Sequence, residues 1–283
     1  MRLHRKSRNN QNTEDEKFKK SNVTSSKRIM AIANQKGGVG KSTTAVNFTA
    51  YLGYYGFKTL VVDIDPQSNS TSGLGISLTH DMPSIYNVII SGVDAADVIV
   101  KASFPNLYVM PSSIQLAGAE VELVTSMKRE YKLKEALDKI KDDYDYIVID
   151  CPPALGLLTV NALSAAVEVI IPIQCEYYAL EGLGQLLNTI NLIKKNLNPD
   201  LEIAGALMTM YDSRIKLSEE VIAEVKNYFP QKIYNTIIPR NVRLSEAPSY
   251  GKPILFYDPE CKGAQAYKNF TKEVIENGTK RTG

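Results

Sequence analysis

Residues 34–44 of this 283-residue chain read Asn-Gln-Lys-Gly-Gly-Val-Gly-Lys-Ser-Thr-Thr, between an apolar run typical of a strand and an apolar-periodic run typical of a helix. Gly37, Gly38 and Gly40 allow backbone conformations that other residues avoid, so successive N–H groups can point at one anion. The helix predicted to begin near Ser42 adds unpaired N–H groups and the positive end of its dipole. This stretch therefore predicts a phosphate-binding loop.

Two side chains of this loop carry the predicted chemistry. Lys41 would reach the β- and γ-phosphates, and the hydroxyl of Ser42 would ligate a magnesium ion that bridges those oxygens. A nucleoside triphosphate is therefore the predicted ligand. Its predicted contacts are the consecutive residues Gly37, Gly38, Val39, Gly40, Lys41, Ser42 and Thr43. The common pattern G-x-x-x-x-G-K-[ST] requires glycine where this chain has Gln35, and a second lysine, Lys36, lies inside the loop.

The charge of the chain is divided unevenly between its beginning and the rest. The net charge is +2, but residues 1–28 carry nine Lys or Arg and three Asp or Glu, so the remainder has a charge of −4. Residues 1–27 contain few large apolar residues and show no periodicity, which predicts a disordered basic tail. This tail could attract DNA or anionic lipid weakly, or serve as a solubilising arm. Nucleic-acid contact by the acidic remainder would need a local basic patch.

Cysteine spacing and hydropathy indicate the cellular compartment of the protein. Cys151, Cys175 and Cys261 lack metal-ligand spacing, and an odd count without a signal peptide indicates a reducing, intracellular compartment. No apolar run approaches the roughly 18 residues that a membrane span needs. We therefore expect a cytoplasmic protein with no membrane span.

Apolar runs and helical periodicities alternate along the chain. Predicted strands cover residues 29–33, 59–62, 107–110, 146–150, 169–173, 203–210 and 233–238. Predicted helices cover 43–55, 85–90, 95–100, part of 118–126, 131–141, 157–165, 179–197, 216–229 and 263–277, and an irregular segment runs from 239 to 253. This alternation predicts an α/β fold with a doubly wound, mostly parallel sheet flanked by helices. We expect one domain over residues 28–283 after the tail of residues 1–27.

Carboxylates follow two of the predicted strands. Asp63 and Asp65 lie at the end of the second strand, and Asp150 ends the strand at 146–150. Ligands of open α/β sheets bind at this carboxyl edge. Asp150 could hold magnesium through water and complete the oxygen shell that Ser42 begins. Residues 66–83, rich in Ser, Thr, Gly and Pro, suggest a mobile loop that senses the γ-phosphate.

Four segments in this order resemble the deviant Walker A family of partition and positioning ATPases, within it the ParA/Soj branch. They are residues 36–43, Val-Asp-Ile-Asp-Pro-Gln at 62–67, Asp-Cys-Pro-Pro at 150–153, and Ile-Pro-Arg-Asn-Val-Arg-Leu-Ser-Glu-Ala-Pro-Ser at 238–249. The resemblance covers about residues 28–277. One departure is Ser68, where many members have glycine, which could alter the dynamics of the loop and the rate of hydrolysis.

The resemblance implies catalytic roles for three residues, Lys36, Lys41 and Asp65. Lys36 resembles the lysine that crosses a dimer interface to the phosphates bound by the partner subunit. Asp65 resembles the carboxylate that positions the attacking water, and Asp63 would support the magnesium shell. The implied cofactors are ATP and Mg²⁺, with metal-side residues Ser42, Asp63 and Asp150.

The resemblance also implies where the base and the DNA lie. Residues near Met210 and Pro239 would border the adenine. Arg214 and Arg243 fall where the family carries arginines that bind the DNA backbone without sequence preference in the ATP dimer. Without the resemblance, surface ion pairs would be the favoured interpretation of these two arginines.

The implied function is ATP-driven DNA partitioning. An ATP-bound sandwich dimer would bind double-stranded DNA non-specifically, and a ParB/Spo0J-like centromere-binding partner would stimulate an ATPase that is weak alone. The protein would then be cytoplasmic and nucleoid-associated.

Other classes share the phosphate loop. A MinD-like membrane-associated positioning ATPase would need an amphipathic terminal helix, which residues 278–283 do not provide. A bacterial tyrosine kinase would need clustered tyrosines, whereas the sixteen here are dispersed. An iron–sulfur reductase would need paired cysteine ligands, and no such spacing is obvious.

Overall fold

The computed structural model describes residues 15–22, 27–79, 82–176, 182–230 and 232–282. In this part of the chain, seven strands form one sheet in the order β3-β4-β2-β5-β1-β6-β7. The strands are β1 Arg28–Ile32, β2 Thr59–Asp63, β3 Val100–Lys101, β4 Leu107–Met110, β5 Tyr146–Asp150, β6 Glu168–Gln174 and β7 Glu202–Thr209. All pairings are parallel except that of β3 with β4 at the edge. The predicted α/β fold with a mostly parallel sheet is confirmed.

The helices alternate with the strands and cover both faces of the sheet. They are α1 Lys41–Tyr54, α2 Asn69–Gly73, α3 Ala95–Val98, α4 Leu116–Glu122, α5 Lys132–Leu137, α6 Leu157–Ala165, α7 Leu183–Asn196, α8 Lys216–Tyr228, α9 Val242–Glu246, α10 Ile254–Tyr257 and α11 Lys262–Thr282. On one face α1 and α11 pack together, with the rings of Phe48 and Phe270 5.4 Å apart. The larger core cluster lies on the opposite face and includes Leu163 of α6 and Leu186 of α7.

The order of the strands brings the predicted site residues to one edge of the sheet. β1 lies between β5 and β6, and β5 lies between β1 and β2. In register, Asp63 is opposite Asp150, and Asp150 is opposite Ile32, two residues before the phosphate loop begins. Because parallel strands end at the same edge, side chains that are far apart in sequence meet beside the loop.

Several predicted elements differ from the observed ones. The helix predicted at 85–90 is formed, but most of it is a π-helix, Asn87–Ser91. The helix predicted at 179–197 begins at Leu183, after Gly182 in a left-handed conformation with φ 78°, and residues 177–181 lie outside the described part. The segment predicted to be irregular, residues 239–253, contains the α-helix α9 and, directly after it, a 3-10 helix at Ala247–Tyr250.

The strand predicted at 233–238 is not formed. This segment makes only isolated pairings within the described residues, Ala206 with Ile233 and Tyr211 with Pro239. Pro239 has no N–H to continue a ladder. The ring of Tyr234 also lies against Gly205, where an added Cβ would come within 2.8 Å of it. The segment still bonds to β7 at separate points, from the N–H of Tyr234 to the carbonyl oxygen of Ala206 at 3.0 Å and from the N–H of Ile238 to that of Met208 at 2.9 Å, without a continuous ladder.

Residues 15–22, within the predicted tail, contact the rest of the protein, whereas residues 1–14 and 23–26 lie outside the described part. Asp15 forms ion pairs with Lys268 at 2.6 Å and Lys272 at 2.9 Å on α11. The ring of Phe18 packs 6.2 Å from that of Tyr55 at the end of α1. These contacts are tertiary, and the polar composition of the tail did not reveal them.

Candidate nucleotide-binding site

The phosphate loop connects β1 to α1 and is shaped by two left-handed glycines, Gly38 with φ 74° and Gly40 with φ 91°. Lys41 begins α1, is only 6% exposed, and donates from Nζ to the carbonyl oxygen of Lys36 at 2.9 Å. Burial lowers the pKa of Lys41, although the charge of Asp150 opposes this shift. The ammonium group is therefore held inside the curve of the loop, in a position suited to an anion.

Two buried polar side chains, Asn34 and Thr209, bond the loop to the strands β6 and β7. Asn34 donates from Nδ2 to the carbonyl oxygen of Pro172 on β6 at 2.7 Å and accepts from the backbone N–H of Lys36 at 3.0 Å. Thr209, at the end of β7, donates to the carbonyl oxygen of Val39 at 2.8 Å. Sequence reasoning missed both residues, because each of these two bonds joins positions more than 130 residues apart in the sequence, 138 for Asn34 with Pro172 and 170 for Thr209 with Val39.

The carboxylates of Asp63 and Asp150 are fully buried beside the loop. Asp63 accepts three hydrogen bonds, from the backbone N–H of Asp65 at 3.2 Å and from the N–H and hydroxyl of Thr71 at 2.8 and 2.7 Å. Asp150 accepts one from the hydroxyl of Ser70 at 2.6 Å. Burial raises the pKa of both carboxyls, and the charge of Asp150 raises that of Asp63 further. Two acids so close together and out of water favour a bound cation.

The free oxygen of Asp150 identifies the side of the site that fits a metal. Its Oδ1 is buried and accepts no hydrogen bond from the described residues, while the hydroxyl of Ser42 favours the ionised form of Asp150. No group of three or more His, Cys, Asp or Glu that could hold a metal occurs in the described part. Hydroxyl, carboxylate and phosphate oxygens together are the donor set of Mg²⁺ in nucleotide sites. The residues present therefore fit Mg²⁺ bound jointly with phosphates.

Two adjoining cavities lie along the loop. The first has a volume of 330 Å³. Its lining includes Gly37, Gly38, Gly40, Lys41, Ser42, Thr43, Asp65, Met210 and Pro248. The second, of 460 Å³, shares Gly40, Thr43, Met210 and Pro248 with the first and extends to Pro239 and Tyr267. Most predicted contacts of the nucleotide thus lie along one cleft, with Met210 and Pro239 toward its second cavity.

The predicted site residues Asp65, Lys36 and Val39 differ in their exposure and in whether they line this cleft. Asp65 is 5% exposed, and its carboxylate accepts from the N–H of Gln67 at 3.0 Å. Neither Lys36 nor Val39 is among the described residues that line the two cavities. Val39 is buried, whereas the side chain of Lys36 is partly exposed on a loop whose backbone Asn34 holds.

The two candidate DNA-binding arginines lie in surface ion pairs. Arg214, 85% exposed, donates from Nε and Nη2 to the two carboxylate oxygens of Asp212 at 2.9 and 2.6 Å. These hydrogen bonds lower the pKa of Asp212 to about 2. Arg243, on α9, pairs with Glu246 at 2.8 Å and with Asp258 at 3.4 Å. Sequence reasoning did not identify these acidic partners.

Together, the glycine loop, the buried lysine and the acid at the end of an adjacent strand define a P-loop nucleoside triphosphatase. Comparison with known proteins makes this class more specific. Residues 27–203 match the family model described as an AAA domain.

The named sequence relatives include Soj and ParA proteins. The sporulation initiation inhibitor protein Soj of Bacillus subtilis is 58% identical over 89% of this chain and 99% of its own length. The chromosome partitioning protein ParA of Myxococcus xanthus is 49% identical over 90% of each chain. The chain therefore belongs to the Soj/ParA family of chromosome-partitioning ATPases, which confirms the resemblance.

A solved structure gives a direct comparison with a nucleotide complex. It is described as cobyrinic acid a,c-diamide synthase from Mycobacterium smegmatis with bound ATP analog and magnesium. It is 39% identical, has a TM-score of 0.77, and covers 87% of this chain and 93% of its own. Its name gives a different activity from those of the Soj and ParA relatives. What it shares with the site described above is a fold that accommodates a nucleotide together with magnesium.

Proposed function

We propose that this partitioning ATPase binds ATP and Mg²⁺, forms an ATP-dependent dimer that binds double-stranded DNA non-specifically, and leaves DNA when ATP is hydrolysed. Hydrolysis is slow in the protein alone and is stimulated by a ParB/Spo0J-like centromere-binding partner. The protein then works in the cytoplasm on the nucleoid. Family membership supports the partitioning role, and the geometry of the cleft supports the individual steps.

The phosphates bind to the N–H groups of residues 37–43, with Lys41 as the fixed positive charge. Ser42 and Asp150 would hold Mg²⁺, Asp150 through water, and Asp63, whose oxygens accept three hydrogen bonds, would support this side of the site. When bound, Mg²⁺ neutralises charge that develops on the phosphates. The base lies toward Met210 and Pro239 in the second cavity.

Asp65 orients the attacking water, since it is the carboxylate that lines the cavity beside the loop. Its backbone is fixed on both sides, because its N–H binds Asp63 at 3.2 Å and its carbonyl accepts from the hydroxyl of Ser112 at 2.7 Å. A fixed backbone limits the positions that the carboxylate can reach, which favours one orientation of the water.

The proposal of an ATP-dependent dimer rests on the position of Lys36. Its N–H and carbonyl are both held, by Asn34 and by Lys41, so the backbone cannot swing. Its side chain is partly exposed and lies outside the lining of its own cavity. A lysine fixed in this way at the mouth of a phosphate site can serve the phosphates of a second copy, so the active site is complete only in the dimer.

Dimerisation makes DNA binding depend on the nucleotide. Arg214 and Arg243 give each subunit a small phosphate-binding surface, and a dimer presents both surfaces to one duplex. Each phosphate neutralised adds about 0.9 to the salt slope of binding. ATP that favours the dimer therefore raises DNA affinity by mass action.

DNA binding with ATP, compared with ADP, tests this proposal. Binding of a labelled random-sequence duplex should require ATP and weaken steeply with salt, whereas Lys41→Ala should remain unbound with either nucleotide. Light scattering on the same samples should show dimers with ATP and monomers with ADP. Equal DNA binding in the two nucleotide states would contradict the switch.

The apolar face of α11 bears on the alternative of a MinD-like membrane-associated ATPase. Tyr267, Phe270 and Val274 of this helix are buried against the sheet and α1, so this face is used in the core. No helix in the described residues is long and apolar enough to cross a membrane. Co-sedimentation with anionic vesicles in ATP, in place of DNA binding, would instead favour the alternative.

A further inference from the structure

Thr71 lies in the short helix α2, eight residues after Asp63, and its side chain is buried beside the carboxylate of that residue. The hydroxyl donates to Oδ2 of Asp63 at 2.7 Å, and the backbone N–H of Thr71 donates to the same oxygen at 2.8 Å. The hydroxyl oxygen also accepts from the backbone N–H of Ser112 at 3.0 Å. The hydroxyl of Thr71 therefore serves as donor and acceptor at once.

These bonds close a small network around the loop that follows β2. The other oxygen of Asp63 accepts from the N–H of Asp65, so Asp63 connects the beginning of the loop to Thr71. Ser112, at the end of β4, contacts the network twice, through its N–H to Thr71 and through its hydroxyl to the carbonyl of Asp65. The hydroxyl of Thr71 therefore supplies one of the three hydrogen bonds to Asp63 and connects this carboxylate to Ser112, which also holds the Asp65 backbone.

We propose that Thr71 is a positioning residue that sets the Mg²⁺ affinity of the nucleotide site by orienting Asp63. This inference rests on the proposed Mg²⁺ site. Partners that orient the groups around a metal typically change its affinity 10- to 100-fold when they are removed. The hydroxyl of Ser70 bonds to Asp150, whereas that of Thr71 joins Asp63 to Ser112, whose own hydroxyl bonds to the carbonyl oxygen of Asp65.

The test compares Thr71→Val, which keeps the shape and removes the hydroxyl, with Thr71→Ser, which keeps both hydrogen bonds. Thr271→Val is the matched control, because that hydroxyl is also buried and donates to a backbone carbonyl within its own helix α11, that of Tyr267 at 2.8 Å. The measurement is binding of a fluorescent ATP analogue at increasing Mg²⁺ concentration, with the melting temperature of each variant recorded.

We expect Thr71→Val to raise the half-saturating Mg²⁺ concentration about tenfold, while Thr71→Ser and Thr271→Val match the wild type. In an Asp63→Asn background, Thr71→Val should add no further shift, because it acts through Asp63. If the valine variant does not fold, Thr71→Ala is measured in its place.

An Mg²⁺ requirement of the Thr71→Val protein within twofold of the wild type would overturn the inference. An equal shift in Thr271→Val would do the same, since it would trace the effect to general destabilisation. A different result, a wild type whose binding of the analogue does not respond to Mg²⁺, would instead overturn the proposed function.

Discussion

Arg214→Ala tests the DNA step at one exposed side chain. Arg214 is 85% exposed and, among the described residues, hydrogen-bonds only with Asp212 of its own loop, so its removal leaves the core intact. If Arg214 neutralises one phosphate in each subunit of the dimer, the variant should lose about 1.8 from the salt slope of DNA binding. A fourfold rise in salt should then weaken the wild type about twelvefold more than the variant.

The assay is fluorescence anisotropy of a labelled duplex with the ATP-bound protein at about 50 and about 200 mM salt. Asp212→Asn should have the opposite effect and tighten binding, because it releases the guanidinium from the carboxylate that now occupies it. Arg129→Ala is the control, since Arg129 is also a surface arginine paired with an acid, Glu130. A salt slope of Arg214→Ala equal to that of the wild type would refute a phosphate contact by this residue.

Three further predictions concern the nucleotide and the amino-terminal segment. Lys41→Ala should abolish binding of a fluorescent ATP analogue, because it removes the buried charge of the loop. Asp65→Ala should retain the ATP dimer in light scattering and block phosphate release; normal hydrolysis would contradict its role. Burial raises the pKa of Asp15, but ion pairs with Lys268 and Lys272 outweigh it and hold that pKa below 3.8. The stability from Asp15 is therefore present at neutral pH and lost as pH falls through this lowered pKa, so the deficit of Asp15→Asn in urea unfolding should shrink toward pH 3.

The sequence predicted which side chains meet at the carboxyl edge of the sheet because two local signals coincide there. A glycine loop between a strand and a helix indicates phosphate binding, whatever the rest of the fold. Parallel strands then bring their carboxyl ends to one edge, so Asp63 and Asp150 could be placed together from their positions after apolar runs. Both inferences need only the type and direction of the neighbouring elements.

The residues that hold this edge in place could not be predicted in the same way. Thr71 lies in a stretch rich in Ser, Thr and Gly, where composition indicates a loop and does not distinguish one hydroxyl from another. Asn34 binds a carbonyl on β6, 138 positions later, which no spacing reveals. Residues 15–22 fold because Asp15 and Phe18 meet α1 and α11 in space. Buried hydrogen bonds and ion pairs of this kind depend on the tertiary structure, which local patterns do not encode.

One segment joins the nucleotide cleft to Arg243, one of the two arginines of the proposed DNA surface. Pro239 lines the second cavity, Pro248 lines both, and Arg243 lies between them on α9. The loop that follows β2 touches this segment backbone to backbone, since a Cβ added to Gly251 would lie 2.7 Å from the Cα of Gly75. No side chain lies between the backbones of Gly75 and Gly251, so a displacement of either one toward the other would move both. A nucleotide that displaces either loop would therefore act on the main chain that carries Arg243, which is the coupling that the proposed switch in DNA affinity requires.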